Sequence, residues 1–126
     1  MNLKPTLTLG VLIVDDHELT RCTLKLLLMH QPFIGMVTEA SNGRQAIAQV
    51  QKYAPDLVLL DLQMPIVDGW TAARELRRLC PKTKIIAYSS MDCGQVAQLL
   101  ADGVIDGFCN KDIGSDQLLE LVRSLC

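Results

Sequence analysis

Apolar positions along the chain fall into two alternating kinds of run. Gly10 to Val14 is a continuous apolar stretch of strand length and β-branched content, and it stops abruptly at Asp15 and Asp16. From His17 to about His30 the period changes: Leu24, Leu27 and Leu28 recur at helical spacing, Arg21 and Lys25 fall on the other side, and Asp16 is placed to act as N-cap. Gly35 to Ala40 reads as a second strand, closed by the turn cluster Ser41-Asn42-Gly43, and Arg44 to Tyr53 sets Ala46, Ile47 and Val50 on one helical face. Pro55 ends that helix, and Asp56 to Asp61 repeats the opening pattern of an apolar run that finishes in an acid.

The alternation continues to the end. A loop from Leu62 to Val67 containing Pro65 leads through Asp68-Gly69 to a helix over Trp70 to Leu79, stopped by Pro81. Lys84 to Tyr88 is a strand ending in Ser89-Ser90, and Gln95 to Ala101 is a weak helix with Gly94 near its start. Gly107 to Asn110 is a short strand ending at Lys111, and Ser115 to Leu125 is a helix with Leu118, Leu121, Val122 and Leu125 on its face. Five apolar strands joined by five helices predict a parallel sheet covered on both sides, a doubly wound α/β sandwich, because right-handed crossovers place helices on either face. In such sheets ligands sit just beyond the carboxyl ends of the strands. The 126 residues suit one domain spanning 1–126, with its core over about Leu9 to Leu125 and an output domain absent from the chain.

Composition narrows the function classes. The chain is 49 % hydrophobic and 21 % charged, ordinary globular usage, and aromatics at 4 % leave an aliphatic core. A net charge of -2 offers no basic face to displace counterions, so direct nucleic-acid binding by this segment is not expected. Apolar runs such as Leu9 to Val14 and Leu24 to Met29 fall short of the roughly 18 residues of a spanning helix, and no secretory leader follows Lys4. A cytoplasmic protein without a membrane segment is expected. Cys22, Cys80, Cys93, Cys109 and Cys126 show no CxxC spacing and read as reduced thiols without a redox or metal role.

The strand ends carry the chemistry. Asp15 and Asp16 follow the first strand, Asp61 the third, Ser89 the fourth and Lys111 the fifth. Three carboxylates within a few ångströms repel by several kcal/mol at an effective dielectric near about 20, so a cation is called for, and hard oxygen donors favour Mg2+. Magnesium leaves coordination positions for a phosphate oxygen, one carboxylate can then act as nucleophile toward a phosphorylated donor, and an ammonium can stabilise the transferred group. Asp15 and Asp16 alone would read as acids at a helix N-terminus, and Lys111 alone as a solvated surface charge. Their convergence with Asp61 favours a site. His17 and His30, at the two ends of a helix, and Trp70, a packing or contact residue, are assigned no chemistry.

The ordered set Val14-Asp15-Asp16-His17, Leu60-Asp61-Leu62-Gln63-Met64-Pro65 with Asp68-Gly69, Tyr88-Ser89-Ser90 and Gly107-Phe108-Cys109-Asn110-Lys111-Asp112 resembles the response-regulator receiver domain of the CheY-like superfamily. The Asp-His pair and the Lys-Asp ending are similar to the NarL/FixJ-like subgroup with helix-turn-helix output domains. The resemblance implies a flavodoxin-like sheet of order 2-1-3-4-5. It implies Asp61 as phospho-acceptor and a magnesium ion held by Asp15, largely through water, by Asp16, by Asp61 and by the Gln63 backbone carbonyl. Lys111 and Ser89 would contact the phosphoryl group, and Ser89 and Phe108 would form the switch pair, with phenylalanine where the family commonly has tyrosine. Gln63 and Met91 stand where the family adjusts hydrolysis of the aspartyl phosphate. Expected partners are a sensor histidine kinase or phosphotransfer protein, a downstream target or attached output domain, and a phosphorylation-dependent second copy, acting through the fourth helix, fifth strand and fifth helix.

Other functions fit the same architecture less well. A haloacid-dehalogenase-like phosphatase places a second acid two residues after its nucleophile, where this chain has Gln63. A nucleotide-binding module needs a glycine-rich loop after the first strand, where Asp15-Asp16-His17-Glu18 would repel phosphate. A receiver-like interaction module that works without phosphorylation is the alternative that shares the fold, and the complete acidic set argues against it.

Overall fold

The computed structural model describes residues 8–64, 69–89, 95–112 and 114–126. Strands β1 (Leu9–Val14), β2 (Ile34–Ala40), β3 (Leu57–Asp61), β4 (Lys84–Ser89) and β5 (Gly107–Asn110) alternate with helices α1 (Glu18–Met29), α2 (Gly43–Lys52), α3 (Gly69–Leu79), α4 (Gln95–Ala101) and α5 (Ser115–Leu125). All strand pairs are parallel, in the order β2-β1-β3-β4-β5, so the expected doubly wound sandwich is what the chain forms. Pro65, Asp68, Ser90, Met91, Cys93 and Gly94 lie outside the described residues.

The three central strands are apolar on both faces because both faces are covered. Leu12, Val14, Val58, Leu60, Ile85 and Ala87 pack with residues of α2, α3 and α4 on one side. Val11, Ile13, Leu57, Leu59, Ile86 and Tyr88 pack with residues of α1 and α5 on the other. Alternation along each strand therefore decides which layer a side chain enters. At the amino edge Arg77 donates to the carbonyls of Val104, Pro81 and Thr83 at 3.0, 2.9 and 2.8 Å and pairs with Asp106 at 2.6 Å, fastening the starts of β4 and β5 to α3.

Helices α1, α2 and α3 each start one residue from the expected position, and at α1 the capping residue differs as well. The N-cap of α1 is His17, not Asp16, and its side chain makes no capping hydrogen bond. The His17 amide instead donates to Asp15 Oδ1 at 2.8 Å, while Asp16 contributes its carboxylate to an acidic group beside it. At α2 the side chain of Asn42 does cap, accepting from the Gln45 amide at 2.8 Å.

One glycine places a helix against the strand end that matters most. A Cβ on Gly69 would lie 2.3 Å from Leu62 Cα and 2.5 Å from the Asp61 carbonyl oxygen, so the first turn of α3 rests directly on the backbone leaving β3. The obstructing atoms are backbone and cannot rotate away. Gly69→Ala is expected to cost about 1–3 kcal/mol in urea unfolding, the range for forced overpacking. Unchanged stability would show that this contact is not tight.

Candidate functional site

Asp15 follows β1 directly, Asp61 ends β3, and Lys111 follows β5, so the parallel sheet delivers all three to its carboxyl edge. Ligand atoms of Asp15, Asp16, His17 and Asp61 all lie within 4.8 Å of one another. Asp15 and Asp61 are fully buried. Lys111 Nζ stands between them, 3.2 Å from Asp61 Oδ2 and 3.4 Å from Asp15 Oδ2, and its amide donates to the Ser89 carbonyl at 2.9 Å. Each pair of like charges at such spacing costs about 3–4 kcal/mol at an effective dielectric near 20, which a single ammonium offsets only in part.

The two buried acids respond in opposite directions. Burial drives the Asp61 carboxyl above the usual aspartate range, the negative charge of Asp15 adds to that, and the Gln63 amide at 2.9 Å together with Lys111 opposes it without prevailing. Asp15 suffers burial too, but hydrogen bonds from the Tyr88 hydroxyl and the His17 amide, with the charge of Lys111, bring it below the usual range. The same environment pushes the Tyr88 phenol far above its ordinary value, chiefly through burial and the facing charge of Asp15, so the hydroxyl keeps its proton and donates.

Oxygen donors dominate the group, which suits a hard cation. Asp16 Oδ1 is shielded from water and accepts no hydrogen bond, although His17 Nδ1 lies 3.2 Å away. An orphaned carboxylate oxygen beside two other acids fits a bound Mg2+, and Asp15, Asp16 and Asp61 are the side chains that would hold it.

The remaining sequence candidates occupy the same edge or the strand behind it. Ser89 is buried at the end of β4, and Phe108 is partly buried against the α2, α3 and α4 layer. Ser89 is two residues beyond Ala87, which enters that layer, and Phe108 pairs with Ala87 in register, so Ser89 and Phe108 share a face. Two groups were not anticipated from the sequence. His17 turns its ring back so that Nδ1 sits 3.0 Å from Asp15 Oδ1, and Tyr88 donates its hydroxyl to Asp15 Oδ2 at 2.6 Å. Adjacency to the acid pair is a signal for His17. Tyr88 carries none, because its position opposite Asp61 depends on the β3–β4 register.

Comparison with known proteins accords with this geometry. Residues 11–123 match the family model described as the response regulator receiver domain. The chain is 34 % identical over 114 residues to the transcriptional regulatory protein DegU of Brevibacillus brevis, covering 90 % of this chain and 48 % of that protein. It is 31 % identical over 117 residues to the response regulator protein VraR of Staphylococcus aureus, covering 93 % and 56 %. The chain thus spans about half the length of these curated relatives. The signal receiver domain of the putative response regulator NarL from Mycobacterium tuberculosis superposes with a TM-score of 0.84 at 26 % identity, over 94 % of this chain and 95 % of that one. Chemotaxis protein CheY4 of Vibrio cholerae, at 23 % identity and a TM-score of 0.86, shares the fold. With a family match over most of its length and an acidic group and a lysine at the sheet's carboxyl edge, the chain belongs to the response regulator receiver domain family.

Proposed function

We propose that the domain is a phosphorylation switch in which Asp61 accepts a phosphoryl group from a sensor histidine kinase or phosphotransfer protein. The observation that carries this reading is a buried carboxylate at the end of the central strand, 3.2 Å from a lysine ammonium and crowded by two further acids. Magnesium, when held by Asp15, Asp16, Asp61 and the Gln63 carbonyl, supplies positive charge to the acids and to the phosphoryl oxygens. Asp61 forms the new bond to phosphorus as the phosphorus–nitrogen bond of a phosphohistidine breaks, and the departing imidazole keeps the electron pair. Lys111, already between the two acids, pairs with the transferred oxygens.

Ser89 hydrogen-bonds the new phosphoryl group and moves toward it, and Phe108 fills the space given up. This shifts a two-state equilibrium across α4, β5 and α5. The switched surface contacts a downstream protein, an attached output domain or a second phosphorylated copy, and nucleic acid is contacted by the output partner rather than by this domain. Gln63 and Met91 occupy the positions at which the family adjusts how fast water reaches the acyl phosphate. The domain acts as a cytoplasmic signalling receiver whose own chemistry ends with phosphoryl transfer and slow dephosphorylation. Among the described residues no helix is long and apolar enough to cross a membrane.

Intact-mass measurement after incubation with magnesium and acetyl phosphate is expected to show one added phosphoryl group on the wild type and none on Asp61→Asn. Equal labelling of that variant, or none on the wild type, would favour an interaction module that works without phosphorylation. Magnesium at about 100 times its Kd is expected to stabilise the wild type by about 2.7 kcal/mol in thermal unfolding, reversibly with chelator. Loss of the effect in Asp16→Asn would locate the ion.

Charge balance gives a third expectation. An acid whose folded-state pKa is raised destabilises the fold once ionised, so Asp61 costs stability above its raised value and nothing below the ordinary 3.8. Asp15, with a lowered pKa, contributes stability that is present above 3.8 and is lost as pH falls through its folded value. At pH 7 without metal, Asp61→Asn should therefore raise the melting temperature and Asp15→Asn should lower it. The same sign for both would contradict the asymmetry.

A further inference from the structure

Asp15 is gripped from two sides. Its Oδ1 accepts the His17 amide at 2.8 Å, and its Oδ2 accepts the Tyr88 hydroxyl at 2.6 Å. A carboxylate held at one oxygen can turn about its terminal bond, whereas one held at both has its plane fixed. The Tyr88 ring is itself fixed, 5 % exposed in the layer formed by Val11, Ile13, Leu59, Ile86 and Cys109, and Lys111 Nζ lies 5.0 Å from its centroid. In register Tyr88 stands directly across from Asp61, so the hydroxyl reaches from β4 past β3 to the acid after β1.

We propose that Tyr88 is a positioning residue for the metal site, its hydroxyl orienting the Asp15 carboxylate so that the acid meets magnesium already in place. The inference rests on the reading of Asp15, Asp16 and Asp61 as a magnesium site. Magnesium demands near-octahedral geometry and dehydrates reluctantly, so a pre-set acid saves ordering that would otherwise weaken binding. An uncharged hydroxyl suits this place because it donates without repelling the incoming cation, as the ammonium of Lys111 does. Donors to metal-binding carboxylates typically change affinity by about 10–100-fold when removed.

Calorimetric titration with magnesium alone tests the proposal on wild type, Tyr88→Phe and Tyr53→Phe, the chain's other tyrosine. Tyr88→Phe keeps the ring and its packing, and its Kd should rise about tenfold while Tyr53→Phe matches the wild type. A purely structural role would lower the melting temperature and leave Kd alone, which would overturn the proposal, as would tighter binding. Should Tyr88→Phe fail to fold, 3-fluorotyrosine in the otherwise unaltered chain decides. The fluorine resonance of Tyr88 should move with the calorimetric Kd while that of Tyr53 stays, and a static Tyr88 resonance sinks the idea. If the wild type binds no magnesium, the metal site falls and the role of Tyr88 with it. If it binds and Tyr88→Phe binds equally well, only the role of Tyr88 falls.

Discussion

Three carboxylates held together at the carboxyl edge of the sheet are the constraint around which the rest is arranged. Their repulsion would favour protonation or separation in a looser fold. Here β1 and β3 are neighbours in register, Val14 opposite Leu60, so the residues that follow cannot part without breaking the sheet. Lys111 from the far side of β4 enters between Asp15 and Asp61 and offsets part of the cost. The charge left over is what the proposed magnesium ion would answer, ahead of the proposed phosphoryl group.

That arrangement depends on close packing behind the strand ends. Gly69 brings α3 onto the backbone of Asp61 and Leu62 with no room for a side chain, and the Gln63 amide returns to hold Asp61 Oδ1. Strand alternation sends Tyr88 into the α1 and α5 layer and Ala87, with Ser89 on the same side, toward α2, α3 and α4. Two consecutive residues of β4 thus face different parts of the molecule. Tyr88 touches Asp15, while Ser89 lies on the face that carries Phe108. Through its end β4 connects the acidic cluster to the surface proposed to switch.

The readability of the site followed the range of the interactions involved. Asp15, Asp16, Asp61 and Lys111 were legible because each follows an apolar run, and a parallel sheet brings all such residues to one edge whatever the details of packing. His17 was legible as a helix start and not as a partner of Asp15, since a ring turning back by two residues depends on a rotamer. Asp16 as N-cap was the natural local reading. It failed because the carboxylate sits in the acidic group, while the α1 amides start from His17.

The order of strands and helices, the aliphatic core and the line of acids, hydroxyl and lysine at the strand ends were determined by the sequence alone, because periodicity and strand polarity are local and survive any packing compatible with them. The opposite pKa shifts of Asp15 and Asp61 and the grip of Tyr88 on Asp15 were decided only by the tertiary structure. Those depend on which side chains face one another across sequence separations of 46 positions for the two acids and 73 for Tyr88 and Asp15, and on burial that no single segment creates.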